Sequence, residues 1–220
     1  MRLKMVENVS ALEGLIHEMG LLPFFTCAIA GFSLKAHTPP DRWFVKDVEG
    51  PWEWREAIAE KGEIAYARLF RKKMGFVSPA LYPDLVNVRR NGMDFDVQYE
   101  AGYASRNEKI LVDLLAANGS LLSHDLKRLS GIEKGFETAI TSLQMRTYVT
   151  IQRMDYHLDR YGRPYGWGTS RFALAETIFG EDFVCSRYDD PIEVSLGRLY
   201  HHIAQRFPDA AEKEILSLLR

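Results

Sequence analysis

The chain has 220 residues, 46% of them hydrophobic and 26% charged, with a net charge of −2. That size suffices for one large domain or two small ones. The charge balance excludes a global attraction to polyanions, so any nucleic-acid role must rest on local clustering of bases.

The two cysteines, Cys27 and Cys185, form neither a Cys-x-x-Cys nor a paired metal-ligand motif. Two buried free thiols in a reducing, cytoplasmic setting are expected, with no metal and no cofactor. The apolar run LLPFFTCAIAGF (21–32) follows Glu7, Glu13 and Glu18 rather than a basic leader, and it contains Pro23. It is therefore expected to be a buried segment, not a signal peptide. It is also shorter than the roughly 20 apolar residues of a membrane span, and no membrane partner is expected.

In chain order, VSALEGLIHEMG predicts an amphipathic helix burying Leu12, Leu15, Ile16 and Met19. PWEWREAIAEKG predicts a second helix, with Pro51 in its first turn and Gly62 as its stop. EIAYARLF, the basic turn RKK and MGFVS read as a β-hairpin, and PALYPDLVNVRR as a helix entered through Pro83. The stretch from 90 to 109 is glycine-rich and polar, a soft boundary between two halves. Within it, MDFDVQYE places Asp94 and Asp96 on one side of a short strand.

The second half begins with NEKILVDLLAAN, a helix expected to bury Ile110, Leu111, Leu114 and Leu115. GSLLS is a short extended link, and SHDLKRLSG a helix capped by Ser123 and stopped by Gly131. KGFETAITSLQMRT sets Phe136, Ile140 and Leu143 on one stripe. A hairpin follows, with Tyr148, Val149 and Ile151 before its turn and Phe172 and Leu174 after it. Two closing helices pack through Leu196, Leu199, Ile203 and Phe207, the last starting at a box-like Asp209 and Glu212 pair. Helix, short strand, two helices and a hairpin is the order of a winged helix-turn-helix. The expected class is α+β, mainly helical, divided into 1–95, 105–178 and 179–220.

Three constellations bear on function. Opposite the Phe136 stripe lie Lys134, Thr138 and Thr141, with Ser142 and Met145, a face able to enter a major groove. The hairpin carries Arg146, Arg153, Arg160, Arg163 and Arg171 against Asp155 and Asp159, interleaved with Tyr161, Tyr165 and Trp167. Arginines among aromatics suit phosphate contact and stacking, whereas Trp167 is expected to cover the core. A second basic run, Arg68, Arg71, Lys72, Lys73, Arg89 and Arg90, is opposed only by Asp84. Duplex DNA is the partner these clusters suit, with Lys72, Lys73, Arg89, Arg90, Lys134, Thr138, Thr141, Arg146, Arg160 and Arg163 as its contacts.

The stretches PWEWREAIAEKGEIAYARLFRKKMGFVSPALYPDLVNVRRNGMDFD and KGFETAITSLQMRTYVTIQRMDYHLDRYGRPYGWGTSRFALAE resemble a bacterial family of small proteins described as AlkZ-related. These are distant relatives of winged-helix DNA glycosylases that excise bulky alkylated bases and unhook crosslinks. The resemblance implies tandem winged-helix units, a concave basic DNA face and a link to DNA repair. The glycosylases use a Gln-x-Gln or Gln-x-Asp motif, and Gln98, Gln144, Gln152 and Gln205 form neither. No catalytic residue carries over; Asp94 and Asp96 are the local candidates for placing a carboxylate beside a sugar. The alternatives are an active N-glycosylase with altered catalytic residues, or a winged helix that binds protein.

Overall fold

The computed structural model describes residues 5–44 and 48–220. About half of these are helical, and the strands form two small antiparallel sheets of three strands each. The class is α+β.

Helix α1 (Val9–Met19) is capped by Asn8, whose side chain accepts from the Ala11 amide at 2.9 Å. Its buried stripe is Leu12, Leu15, Ile16 and Met19, as the spacing predicts. Strand β1 (Leu21–Pro23) follows, then α2 (Pro51–Lys61), which ends at Gly62 with φ of 69°. Strands β2 (Ala65–Phe70) and β3 (Lys73–Val77) form the predicted hairpin, and β1 adds to β3 with Leu22 opposite Phe76. Helix α3 (Tyr82–Arg90) closes this half.

The stretch holding Asp94 and Asp96 is not a strand. It folds as the short helix α4 (Phe95–Glu100), because burying Phe95 and Gln98 three residues apart matches helical rather than strand spacing. Gln98 is held inside, its side-chain amide donating to the carbonyl of Arg90.

Helix α5 (Arg106–Asn118) starts at a capping box in which Ser105 and Glu108 bond reciprocally. It buries Glu108, Leu111, Val112 and Leu115, while Ile110 and Leu114 are half-buried. Strand β4 (Ser120–Leu122) leads into α6 (Ser123–Ser130), where Ser123 is the first helical residue rather than the cap. Gly131 ends α6 with φ of 62°, as expected.

Helix α7 (Phe136–Met145) precedes strands β5 (Val149–Leu158) and β6 (Pro164–Leu174). The second sheet has the order β4-β6-β5, with Phe172 between Leu121 and Ile151. Short helices α8 (Ala175–Phe179) and α9 (Glu181–Val184) lead to α10 (Ile192–Arg206) and α11 (Glu212–Leu219). The last helix is entered through Glu214, whose carboxylate accepts from the Ala211 amide at 3.3 Å; Asp209 and Glu212 do not form the box.

One continuous hydrophobic cluster runs through both sheets, joining Leu12, Trp54 and Phe76 to Ile140, Phe172 and Leu199. Polar bonds stitch the sheets further: Thr150 of β5 donates to the carbonyl of Tyr66 on β2 at 3.2 Å. Cys27 and Cys185 are free and half-buried rather than enclosed. Among the described residues, no helix is long and apolar enough to cross a membrane.

Candidate functional site

The pairing of β2 with β3 shifts register between Ala67 and Phe70. Such a bulge frees main-chain groups that must find other partners. The Arg68 amide donates to Oε1 of Gln144 on α7 at 3.1 Å. The Leu69 carbonyl accepts from the Arg89 guanidinium at 2.5 Å. The bulge thus seats β2 against α7 and leaves the Arg68 side chain pointing outward, where Nη1 lies 3.4 Å from the hydroxyl of Thr141.

Beyond Arg68 the hairpin turns through Arg71 and Lys72, both with positive φ, 50° and 66°. Two successive positive φ values mark the type I′ turn that suits a hairpin's twist and ordinarily selects Asn-Gly. Two long cations occupy it here, and Arg71, Lys72 and Lys73 are all exposed. Among the described residues no ion pair engages them.

The outward side of α7 meets this hairpin in a recess of about 380 Å³. Arg68 and Lys72 line it from the hairpin; Thr138, Thr141, Met145 and Arg146 line it from α7 and its end. Two basic segments more than seventy residues apart in the chain therefore meet on one surface.

Arg146 is fixed in place. Nη1 lies 3.3 Å from Glu108 Oε1, and the guanidinium sits 5.4 Å from the Tyr148 ring centroid. Ser142 donates to the same carboxylate oxygen at 2.7 Å. Burial, the largest influence on Glu108, acts to raise its pKa. Hydrogen bonds from the Ser105 amide and from the Ser142 and Ser105 hydroxyls, with the charge of Arg146, outweigh it and hold the carboxyl below its usual range.

The remaining predicted contacts divide sharply. Lys134 and Thr138 are exposed on the α7 side. Thr141 is only 6% exposed, because β2 covers a second face of α7 and buries Thr141 and Gln144 beside the core stripe. Arg89 and Arg90 face inward, against the expectation that they reach phosphates. Arg89 donates to four carbonyls, those of Leu69, Met145, Leu218 and Leu219, and burial lowers its pKa to about 10. Arg90 is wholly enclosed, bonded to Thr147, Glu176 and Tyr188 and stacked 4.1 Å from the Tyr148 ring centroid. Helix α3 packs into the core with both arginines, and the Arg89 guanidinium caps the ends of α7 and α11.

At the other hairpin, Asp155 binds both Arg153 and Arg171, at 3.2 Å and 2.8 Å. Arg160 and Arg163 are exposed at the tip, flanking the Tyr161 ring at 4.6 Å and 5.8 Å. Trp167 does not cover the core; it is 83% exposed, and Leu158, Tyr161 and Tyr165 are exposed with it. The core is already closed by Phe172 and Ile151 farther down the strands. Tyr156 anchors the hairpin's middle to α2, its hydroxyl 2.5 Å from Glu56 Oε1. Arg160 and Arg163 do not line the α7 recess.

Asp94 and Asp96 line a separate cleft of about 440 Å³ together with Asp113, Glu176 and Glu181. Both carboxylates are exposed, and Asp96 lies 3.4 Å from Lys109 Nζ. Apolar side chains, among them Phe95, Val97, Val112, Tyr148 and Leu174, form much of the rest of the cleft's wall. Among the described residues no group of His, Cys, Asp and Glu has metal-binding geometry.

Three residues that organise the recess carry signals that are weak in sequence. Gln144 sits in an unremarkable helical position, and Arg68 in a strand whose bulge has no glycine to mark it. Glu108 is legible as the third residue after Ser105 in a capping box, but its second role, holding Arg146, depends on tertiary contact.

No curated protein and no solved structure gives a match to the chain. A family model described as AlkZ related matches residues 6–220, and the chain therefore belongs to the AlkZ-related family.

Proposed function

We propose that the chain is a DNA-binding protein of tandem winged-helix architecture, with DNA repair as the process its family relationship points to. The order α5-β4-α6-α7-β5-β6 over 105–178 is that of a winged helix-turn-helix, with α7 as recognition helix and β5–β6 as wing. Helix α2 and the β2–β3 hairpin supply the second helix-and-hairpin unit within 1–95, and 179–220 closes the molecule.

The observation that carries this reading is the meeting of Arg68 and Lys72 with Thr138 and Arg146 around one recess in an otherwise acidic chain. Lys72, Lys73 and Lys134 contact phosphates around it, and Arg160 and Arg163 add contacts from the wing. Phosphate contacts of this kind position a duplex without reading its sequence. The α7 face offers no Asn, Gln or Arg free for bidentate base recognition, so binding is largely independent of sequence.

A fluorescence-anisotropy titration of labelled duplex DNA across salt concentrations tests the reading. Neutralising about five phosphates gives a slope of log K against log salt of roughly −4 to −5. Absence of duplex affinity at low salt overturns it.

A further inference from the structure

Resting on that reading, we infer that the recess beside α7 holds one unpaired nucleotide of the bound DNA. Its shape is the first argument. A paired duplex lies across a surface, whereas this is a half-open recess of about 380 Å³, within the roughly 300–1,000 Å³ of small-ligand sites. A recess of that volume suits one nucleotide.

The chemistry of its walls divides as a nucleotide does. Arg68 and Lys72 on the hairpin side, with the hydroxyl of Thr138, suit a phosphate and sugar. Met145 supplies a polarizable apolar surface for the face of a base. Glu137, also on the wall, offers a carboxylate that accepts from an exocyclic amino group, as on cytosine.

The walls are also set before any ligand arrives. Gln144 fixes the Arg68 main chain, Thr141 orients its guanidinium, and Glu108 holds Arg146. A site ordered in advance loses less entropy on binding.

The test compares three duplexes of one sequence by anisotropy: fully paired and blunt, with a single bulged cytosine, and with a single 5′-phosphorylated cytosine overhang. The wild type is expected to bind the bulged or the overhanging duplex about tenfold more tightly than the blunt one. Preference for the bulge identifies a nucleotide displaced from within a strand, and preference for the overhang a strand end. Met145→Trp fills the recess and brings the ratio to about one. Thr138→Phe, at an exposed wall position, gives the same result should thermal melting show the tryptophan variant unfolded. Equal wild-type affinity for all three duplexes overturns the inference and leaves duplex binding standing. No affinity for any of them overturns both. A preference that survives in both filled variants also overturns it, because the nucleotide is then held elsewhere.

Discussion

The main-chain amide of Arg68 donates to the side-chain oxygen of Gln144, 76 positions later, at 3.1 Å. That bond satisfies a group freed by the β2 bulge and places a cation of the first half against the outward helix of the second. Gln144→Leu leaves the partly buried amide without its acceptor and is expected to cost about 1–3 kcal/mol. Urea unfolding monitored by circular dichroism measures this, and a loss below about 0.5 kcal/mol contradicts the assigned role.

The basic run from 68 to 90 holds two kinds of cation, and substitution separates them. Arg89→Met strips four carbonyls of their donor and is expected to destabilise by about 3 kcal/mol or more. Lys73→Ala, at an exposed position, changes stability by less than about 0.5 kcal/mol. Comparable losses from both variants in the same unfolding assay contradict the division.

Glu108 gives stability a pH dependence of defined sign. Its folded-state pKa is depressed, so its contribution is present above the unfolded value of about 4.3 and is lost as pH falls through the lower folded value. Thermal melts of wild type and Glu108→Gln should differ most near neutral pH and draw together as pH falls below the unfolded carboxyl's value of about 4.3. A gap that widens on acidification contradicts the assignment.

The turn at Arg71 and Lys72 keeps two side chains in a left-handed conformation that costs roughly 1–2 kcal/mol per non-glycine residue. Replacing the pair by Asn-Gly is expected to raise stability by about 1 kcal/mol or more while weakening DNA binding. Melting and anisotropy on the same preparation decide it; unchanged affinity in the more stable variant shows that the cations serve no contact.

Trp167 stands clear of the core. Trp167→Ala should leave stability within about 0.5 kcal/mol of wild type and reduce affinity for DNA. A marked loss of stability contradicts the exposed placement.

Much of the fold was legible because local signals agreed with the final packing. The apolar stripe of α1, the Pro51 start and Gly62 stop of α2, and the Gly131 stop of α6 all mark elements that the structure contains. The failures have physical causes. Asp94 and Asp96 alternate like strand residues, yet Phe95 and Gln98 are the pair that needs burial, and their spacing selects a helix. Trp167 looked like a core residue because apolar area usually is, but its sheet was already filled by Phe172 and Ile151. Arg89 and Arg90 counted as surface charge because nothing local announces that four carbonyls at the ends of distant elements await donors. For the recess, the ingredients were visible on α7 and in the 68–73 turn; their meeting depends on a bulge that sequence does not mark.

The most direct measurement is duplex affinity of the double variant Lys72→Glu/Lys73→Glu at low and moderate salt, with melting to confirm the fold. Reversing two exposed cations of the β2–β3 hairpin, Lys72 lining the α7 recess and Lys73 next to it in the chain, is expected to weaken binding by at least about tenfold at low salt and to reduce the magnitude of the salt slope by about 2. A double variant that is folded and binds duplex DNA as the wild type does, with the same slope, contradicts the account.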